Sequence, residues 1–214
     1  MAVMQHTIAV FVGVAGGVLV ATVPQTVDLA SAKLRPVNRQ VSRLQERSGV
    51  HVSAANGPGV VWIEGSDFGE GVIEADVRGK DVLQQSFVGV AFHRKDDQTY
   101  ESVYVRPFNF LATDPARHNH AVQYMQVPEF DWPVLREKFP EEFERPVNPS
   151  IKPTDWVPLR VTVHGGRVQV SVGAVANATM EVRRLGQLDH GLVGLWVGNN
   201  SDGDFANLRL TPSR

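Results

Sequence analysis

The 214-residue chain contains no cysteine, which removes structural disulfides, thiolate nucleophiles, iron–sulfur clusters and every zinc site that needs Cys ligands. Any bound metal must sit on His, Asp or Glu. An excess of one charge is also missing: 21 Lys and Arg face 23 Asp and Glu, and no long basic run offers itself to a phosphate backbone. Nucleic acid is therefore not an expected partner. Internal repeats and low-complexity tracts are absent too, and the balance of hydrophobic and charged residues does not fit the collagenous, wholly disordered or multi-span membrane classes. What remains is an ordinary globular composition, 43% hydrophobic and 21% charged, enough for one domain or at most two.

A long hydrophobic run is present near the start. From Ile8 to Val23 the sequence IAVFVGVAGGVLVATV carries no charge, and a small-x-small triplet, Ala30-Ser31-Ala32, comes after it. This predicts a secretory signal peptide over residues 1–32 with cleavage before Lys33. The leader MAVMQHT lacks the Lys or Arg that normally precedes such a run, so a retained anchor and a first buried strand stay open as alternatives. Export implies a secreted or periplasmic protein with no membrane association after cleavage.

Residues 33–48 read as a short amphipathic helix, with Val37, Val41 and Leu44 on one stripe, or equally as a linker. From Gly49 onward the pattern changes to short alternating runs such as GVVWIEG, GVIEADVRG, SFVGVAFHR, TYESVYVRPF, HAVQYMQV, PLRVTVHG, RVQVSVG and GLVGLWVG. Separated by Gly, Asn, Asp and Pro, and without a convincing long helix, these predict an all-β sandwich or barrel over residues 49–214. His164-Gly165-Gly166-Arg167 should form a tight hairpin, because both glycines tolerate positive φ. The segment from Pro128 to Pro158, rich in Pro, Glu, Phe and Trp, is a long insertion of the kind that is often functional.

Alternation also assigns faces. In the run from Val88 to His93, large apolar residues alternate with Gly89, Ala91 and His93. In the next strand Tyr100, Ser102, Tyr104 and Arg106 oppose Val103 and Val105, and near the C-terminus Gly194 and Trp196 alternate with Val193, Leu195 and Val197. Small residues beside Tyr, Trp, Arg and His suggest a groove that suits a sugar, whose C–H faces stack on aromatics and whose hydroxyls accept polar partners. The competing explanation is that the small residues make room for a covering loop.

The run Tyr100-Glu101-Ser102-Val103-Tyr104-Val105-Arg106-Pro107-Phe108-Asn109, then Val122-Gln123-Tyr124, Asp155-Trp156, Gly194-Leu195-Trp196 and Ser201 to Leu208 resembles the concanavalin A-like, laminin-G-like jelly rolls. Within them it is most similar to bacterial exported domains related to the 3-keto-disaccharide hydrolase group. The resemblance spans roughly Gly49 to Pro212. It implies a two-sheet antiparallel jelly-roll sandwich with a concave face, and carbohydrate as partner. It does not imply one activity, since this fold carries lectins, glycosidases, lyases and adhesion modules.

Individual motifs bear on that activity. Glu74 and Asp76 resemble the alternating acids of laminarinase-type glycosidases, but Arg78 stands where the general acid should be, and an arginine cannot protonate a leaving group. His118-Asn119-His120, with Asp114 or His93, could chelate a metal if the segment is extended, or supply a general base. Asn199 to Asp204 reads as a calcium loop, with Asp202 and Asp204 as candidate ligands, or as a tight Asx turn. A divalent cation such as calcium is thus the candidate cofactor. Asn177-Ala178-Thr179 and Asn199-Asn200-Ser201 are glycosylation sequons, meaningful only in a eukaryotic secretory pathway. In the insertion, Trp132, Arg136 and Glu144 could close over a sugar, while Phe130, Trp132, Leu135, Phe139 and Phe143 could instead pin the insertion to the sandwich.

The expectation is an exported domain that binds a glycan or glycoside on its concave face. His93, His118 and His120 are the candidate catalytic residues. Tyr104, Arg106, Asn109, Gln123, Trp132, Arg136, Glu144 and Trp196 are the candidate binding residues, with Arg106 anchoring hydroxyls or an oxyanion and Trp196 stacking on a ring. Cleavage as a hydrolase or lyase, a non-catalytic lectin-like module, and a structural or protein-interaction domain are the three functional readings.

Overall fold

The strand-forming runs assemble into two antiparallel sheets in the computed structural model, which describes residues 23–147 and 150–213. In chain order the strands are β1 (Gln25–Thr26), β2 (Leu34–Val37), β3 (Val41–Arg43), β4 (Gly49–Val52), β5 (Gly59–Phe68), β6 (Gly71–Arg78), β7 (Val88–Arg94) and β8 (Tyr100–Val105). They continue as β9 (Val122–Val127), β10 (Glu144–Arg145), β11 (Val157–His164), β12 (Arg167–Val172), β13 (Met180–Arg183), β14 (Gly191–Val197) and β15 (Gly203–Pro212). Two short helices, α1 (Pro115–Asn119) and α2 (Trp132–Lys138), lie between them, with a 3-10 turn at Pro107–Asn109. The first sheet runs β13-β12-β11-β6-β15-β4-β3, with β1 also on β15, and the second runs β10-β9-β8-β7-β14-β5-β2. The two-sheet all-β expectation holds.

The first sheet is built by strict alternation. In β6, Ile73, Ala75 and Val77 are buried while Glu74, Asp76 and Arg78 turn outward, and in β11 and β12 valines and Leu159 alternate with polar residues in the same way. Each fully buried Val or Leu contributes about 1.5–3 kcal/mol, so a one-residue slip, which would turn the whole set to water, is strongly opposed. Gly165 and Gly166, with φ of 56° and 75°, turn β11 into β12 as expected, pairing His164 with Arg167.

The second sheet is covered on both sides. Every residue of β8 is buried, and all but the last of β7 and β9. One face meets the first sheet and the other lies beneath the chain around Phe108 and α2. The insertion also closes an edge of the sandwich: Phe139 and Phe143 pack at 5.9 Å, and the Arg183 guanidinium of β13 lies 4.8 and 5.2 Å from their ring centres.

Two expectations about the N-terminal part need revision. The stretch read as a helix or linker instead supplies β2 and β3, edge strands of the two sheets. Pro36 lacks an N–H and is tolerated at an edge but not inside a helix, Val37 and Val41 favour extended backbone, and Asn38, at φ 55°, makes the turn between the strands. The boundary at Lys33 falls inside the folded body, because β1 pairs Gln25 and Thr26 with Leu210 and Arg209, and Leu29 is buried in the core. The apolar run up to Thr22 lies outside the described residues.

Candidate functional site

Register places the expected aromatic and polar residues in one row. Gln123 of β9 pairs with Tyr104 of β8, Tyr104 with Gly89 of β7, and Gly89 with Trp196 of β14, all on the sheet face turned away from the core. Gly89 leaves a gap in this row. A Cβ there would stand 2.7 Å from the Tyr104 Cβ, and its absence lets the Tyr104 and Trp196 rings meet across the strand, with centroids 4.6 Å apart and a tilt of 31°. The next row, with Ala91 and Gly194, is not an open groove floor. The indole of Trp62 occupies it, 2.7 Å from where a Gly194 Cβ would be.

Beside this row lies a buried hydrogen-bond network. Arg106, 4% exposed, donates from Nη1 to Glu144 Oε1 at 2.8 Å and to the His120 carbonyl at 2.9 Å, and from Nη2 to Tyr104 Oη at 2.8 Å and to Gln123 Oε1. Tyr104 in turn donates to Gln123 Oε1 at 2.7 Å. Glu144, on the edge strand β10, also accepts two bonds from Arg136 of α2 at 2.8 and 3.0 Å. Asn109 donates to the His120 carbonyl at 3.1 Å. Burial pushes the Glu144 carboxyl up, but the Arg136 hydrogen bonds and the charges of Arg106 and Arg136 outweigh it and hold it below the usual carboxylate range. Burial raises the Tyr104 phenol to about 12, so it remains a proton donor within the network. His120 Nε2 sits 3.4 Å from Glu144 Oε2; burial is the main cause of its lowered pKa, Arg136 and Arg106 add to it, and Glu144 opposes it.

Over this floor opens a cleft of about 480 Å³ whose lining includes Leu83, Phe87, Tyr100, Tyr104, Arg106, Asn109, Arg117, His120, Trp132, Arg136 and Trp196. Trp132 begins α2, where Asp131 caps the helix by accepting from the Trp132 N–H at 2.7 Å. The indole stays 44% exposed, and the Arg136 guanidinium lies 5.0 Å from its ring centre. The accessible stacking platform is therefore Trp132, while Trp196 forms floor. Arg117, Phe87 and Leu83 were not expected here; Arg117 stood in the DPARHNH stretch beside the two histidines, and its place became visible only once α1 had turned it towards Asn109 and Phe108.

No protein-family model and no curated protein matches the sequence. Solved structures do match. The carbohydrate binding module CBM66 from Bacillus subtilis superimposes with a TM-score of 0.56 at 15% identity, over 83% of this chain and 95% of that one. The beta-glucanase of Bacillus licheniformis gives 0.52 at 12% identity, over 93% and 95%. The exoplasmic/lumenal domain of VIP36, in its Ca2+/Man3GlcNAc-bound form, gives 0.52 at 12%, over 85% and 83%. The fold is a concanavalin A-like jelly roll.

This jelly roll separates several residues that the sequence brought together. His93 is not on the outer face with Gly89 and Ala91. A bulge in the β7–β14 pairing, with His93 at φ 53°, turns its ring off that face. It is fully buried, with Nδ1 2.9 Å from Glu101 and Nε2 2.8 Å from the Gly69 carbonyl. His118 and His120 do not form an extended His-x-His pair, because residues 115–119 are α1, and positions two apart on a helix face different ways. Asp114 caps that helix by accepting from the Arg117 N–H at 2.7 Å. The candidate calcium ligands are already engaged: Asp204 pairs with Arg78 at 2.7 Å and hydrogen-bonds the His51 ring at 2.7 Å, and Asp202 pairs with Lys80. Among the described residues no group of three or more His, Asp or Glu is placed to hold a metal ion.

The first sheet of the jelly roll has its own outer cleft, also about 480 Å³, lined in part by Glu74, Asp76, Arg160 and Asn207. Its acids are paired, Glu74 with Arg160 at 2.7 Å and Asp76 with Arg47 at 2.9 Å. Asp76 also accepts from Asn207 at 2.7 Å. Among the described residues nothing aromatic lines that cleft, and the residues expected to bind lie on the other sheet.

Proposed function

We propose that the protein is a glycan-binding module whose site is the cleft over the outer face of the second sheet. The observation that carries this reading is the meeting, in one cleft, of an exposed indole with guanidinium and amide donors held in fixed positions. Trp132 offers a flat apolar surface to a pyranose ring, and Arg136, Asn109 and His120 line the same cleft with groups suited to hydroxyls, above the buried Arg106. The volume falls within the roughly 300–1,000 Å³ typical of small-molecule sites. Structural likeness to a carbohydrate binding module and to a mannose-containing glycan complex supports the assignment. Export, expected from the apolar run, belongs to the same proposal, with any cleavage point upstream of Gln25.

Hydrolysis by a pair of carboxyls receives no support from the cleft, since Asp131 is the one carboxylate among its described lining residues and Glu144 is locked behind two arginines. A second reading, proton transfer as in a lyase, is favoured by one observation: His120 lines the cleft with its pKa lowered, so it is neutral and able to accept a proton. A glycan array followed by product analysis tests both. Binding that falls about tenfold or more in Trp132→Ala, with no change in the glycan, supports the module; turnover abolished in His120→Ala supports the lyase. Absence of binding and turnover across broad glycan classes would leave a structural or protein-interaction domain.

A further inference from the structure

The charged side chains among the described lining of the cleft are three arginines, Arg106, Arg117 and Arg136, and one carboxylate, Asp131. The arginines are not equally compensated. Arg106 and Arg136 share the buried Glu144, and Asp131 is turned to the N-terminus of α2. Among the described residues Arg117 bonds only neutral oxygens, from Nε to Asn109 Oδ1 at 3.3 Å and from Nη2 to the Phe108 carbonyl at 3.0 Å. Those two bonds aim the guanidinium and leave its charge unpaired. Arg106 and Asn109 both donate to the His120 carbonyl and Arg117 donates to Asn109, so Arg106 and Arg117 meet at one corner of the cleft, where the Arg106 guanidinium also lies 5.8 Å from the Phe87 ring centre.

We infer that the cleft selects an anionic saccharide, with a sugar carboxylate or sulfate ester at the Arg117 end and a ring against Trp132. Resting on the glycan-binding proposal, this names the class of glycan. A planar guanidinium with unused N–H donors matches a carboxylate or sulfate in both charge and fork geometry. A neutral sugar would leave the arginine charge without a counter-ion, whereas an acidic one would supply it.

The test uses the full chain and three sets of immobilised oligosaccharides: uronates, their methyl esters, and sulfated and unsulfated pairs of one neutral backbone. The inference expects binding to at least one anionic set and at least about tenfold weaker binding to its esterified or unsulfated counterpart. Arg117→Gln, at an exposed position, should fold normally and reduce binding of the anionic set by a similar factor, with a smaller loss of any neutral binding. Affinity should also fall as salt rises. Uronate binding lost on esterification assigns the anion as a carboxylate, and preference for the sulfated member of a pair assigns a sulfate. Equal binding of charged and uncharged partners, untouched by Arg117→Gln, overturns the inference while leaving the module standing. Binding to none of these sets or to any neutral glycan overturns the module reading as well.

Discussion

Replacing Glu144 with glutamine removes one negative charge from beneath two arginines while changing the side chain's volume very little. In the native protein Glu144 is 5% exposed and its two oxygens accept from Arg106 and, twice, from Arg136. A glutamine keeps one acceptor oxygen but must turn its NH₂ towards a guanidinium donor, and Arg106, itself 4% exposed, is left as a buried cation without a counter-ion. Removing one partner of a buried ion pair costs about 3–5 kcal/mol. For a domain of this size roughly 2–4 °C of Tm accompanies each kcal/mol, so thermal unfolding should move down by about 6–20 °C.

The loss should depend on pH in a defined sense. The Glu144 carboxyl titrates below its ordinary 4.5 in the folded state, so its contribution is complete above the unfolded value and disappears as pH falls through the folded one. Melting curves of the native protein and Glu144→Gln should therefore converge on acidification below about pH 4. A variant whose Tm stays within a degree or two of native at neutral pH, or a gap that widens in acid, would refute the idea that Glu144 organises the cleft as an ion-pair centre.

Three other outcomes are expected of the same structure. An NMR titration of His120 should give a midpoint below 6.5, and lower still in Glu144→Gln, which removes the opposing carboxylate. Because its folded pKa is the lower one, His120 costs stability as pH falls through the unfolded value, and a midpoint above 6.5 would contradict burial as the dominant cause. A chain beginning at Lys33 should be less stable than one beginning at Val23, since it loses β1 and the burial of Leu29, worth about 1.5–3 kcal/mol; equal melting temperatures would show that β1 contributes nothing. Gly89→Ala should lower stability by about 1–3 kcal/mol by overpacking and should separate the Tyr104 and Trp196 rings, measurable as a change in near-UV circular dichroism.

Much of the second sheet's outer face was legible from alternation alone. A period of two placed Tyr104, Arg106 and Trp196 on one side, with Gly89 among the small residues of that face, and the family resemblance added Gln123. His93 escaped because it sits in the bulge itself, in left-handed backbone, and nothing in the composition of VAFHRK marks that bulge. The strands β1, β2 and β3 escaped for another reason. At two to four residues they are too short to show a period, and each is an edge or satellite strand specified by its neighbour. The Arg106–Glu144 pair joins residues 38 apart, a contact set by the path of the insertion, which local patterning does not encode.

The two outer faces differ in what a ligand would have to displace. On the first sheet the charges satisfy each other: Glu74 with Arg160, Asp76 with Arg47, and Arg78 with Glu46 and Asp204. Trp156 is covered by the guanidiniums of Arg47 and Arg78, 4.3 and 4.6 Å from its ring centre. A ligand there would have to break ion pairs and displace a cation to reach an aromatic surface, and exposed pairs of this kind return little when they re-form. On the second sheet Glu144 lies underneath and holds Arg106 and Arg136 in place, Arg136 resting 5.0 Å from the ring centre of the 44% exposed Trp132, while Arg117 faces the cleft with an unpaired charge. Binding can use those groups without dismantling the support beneath them, which is the arrangement expected of a preorganised site.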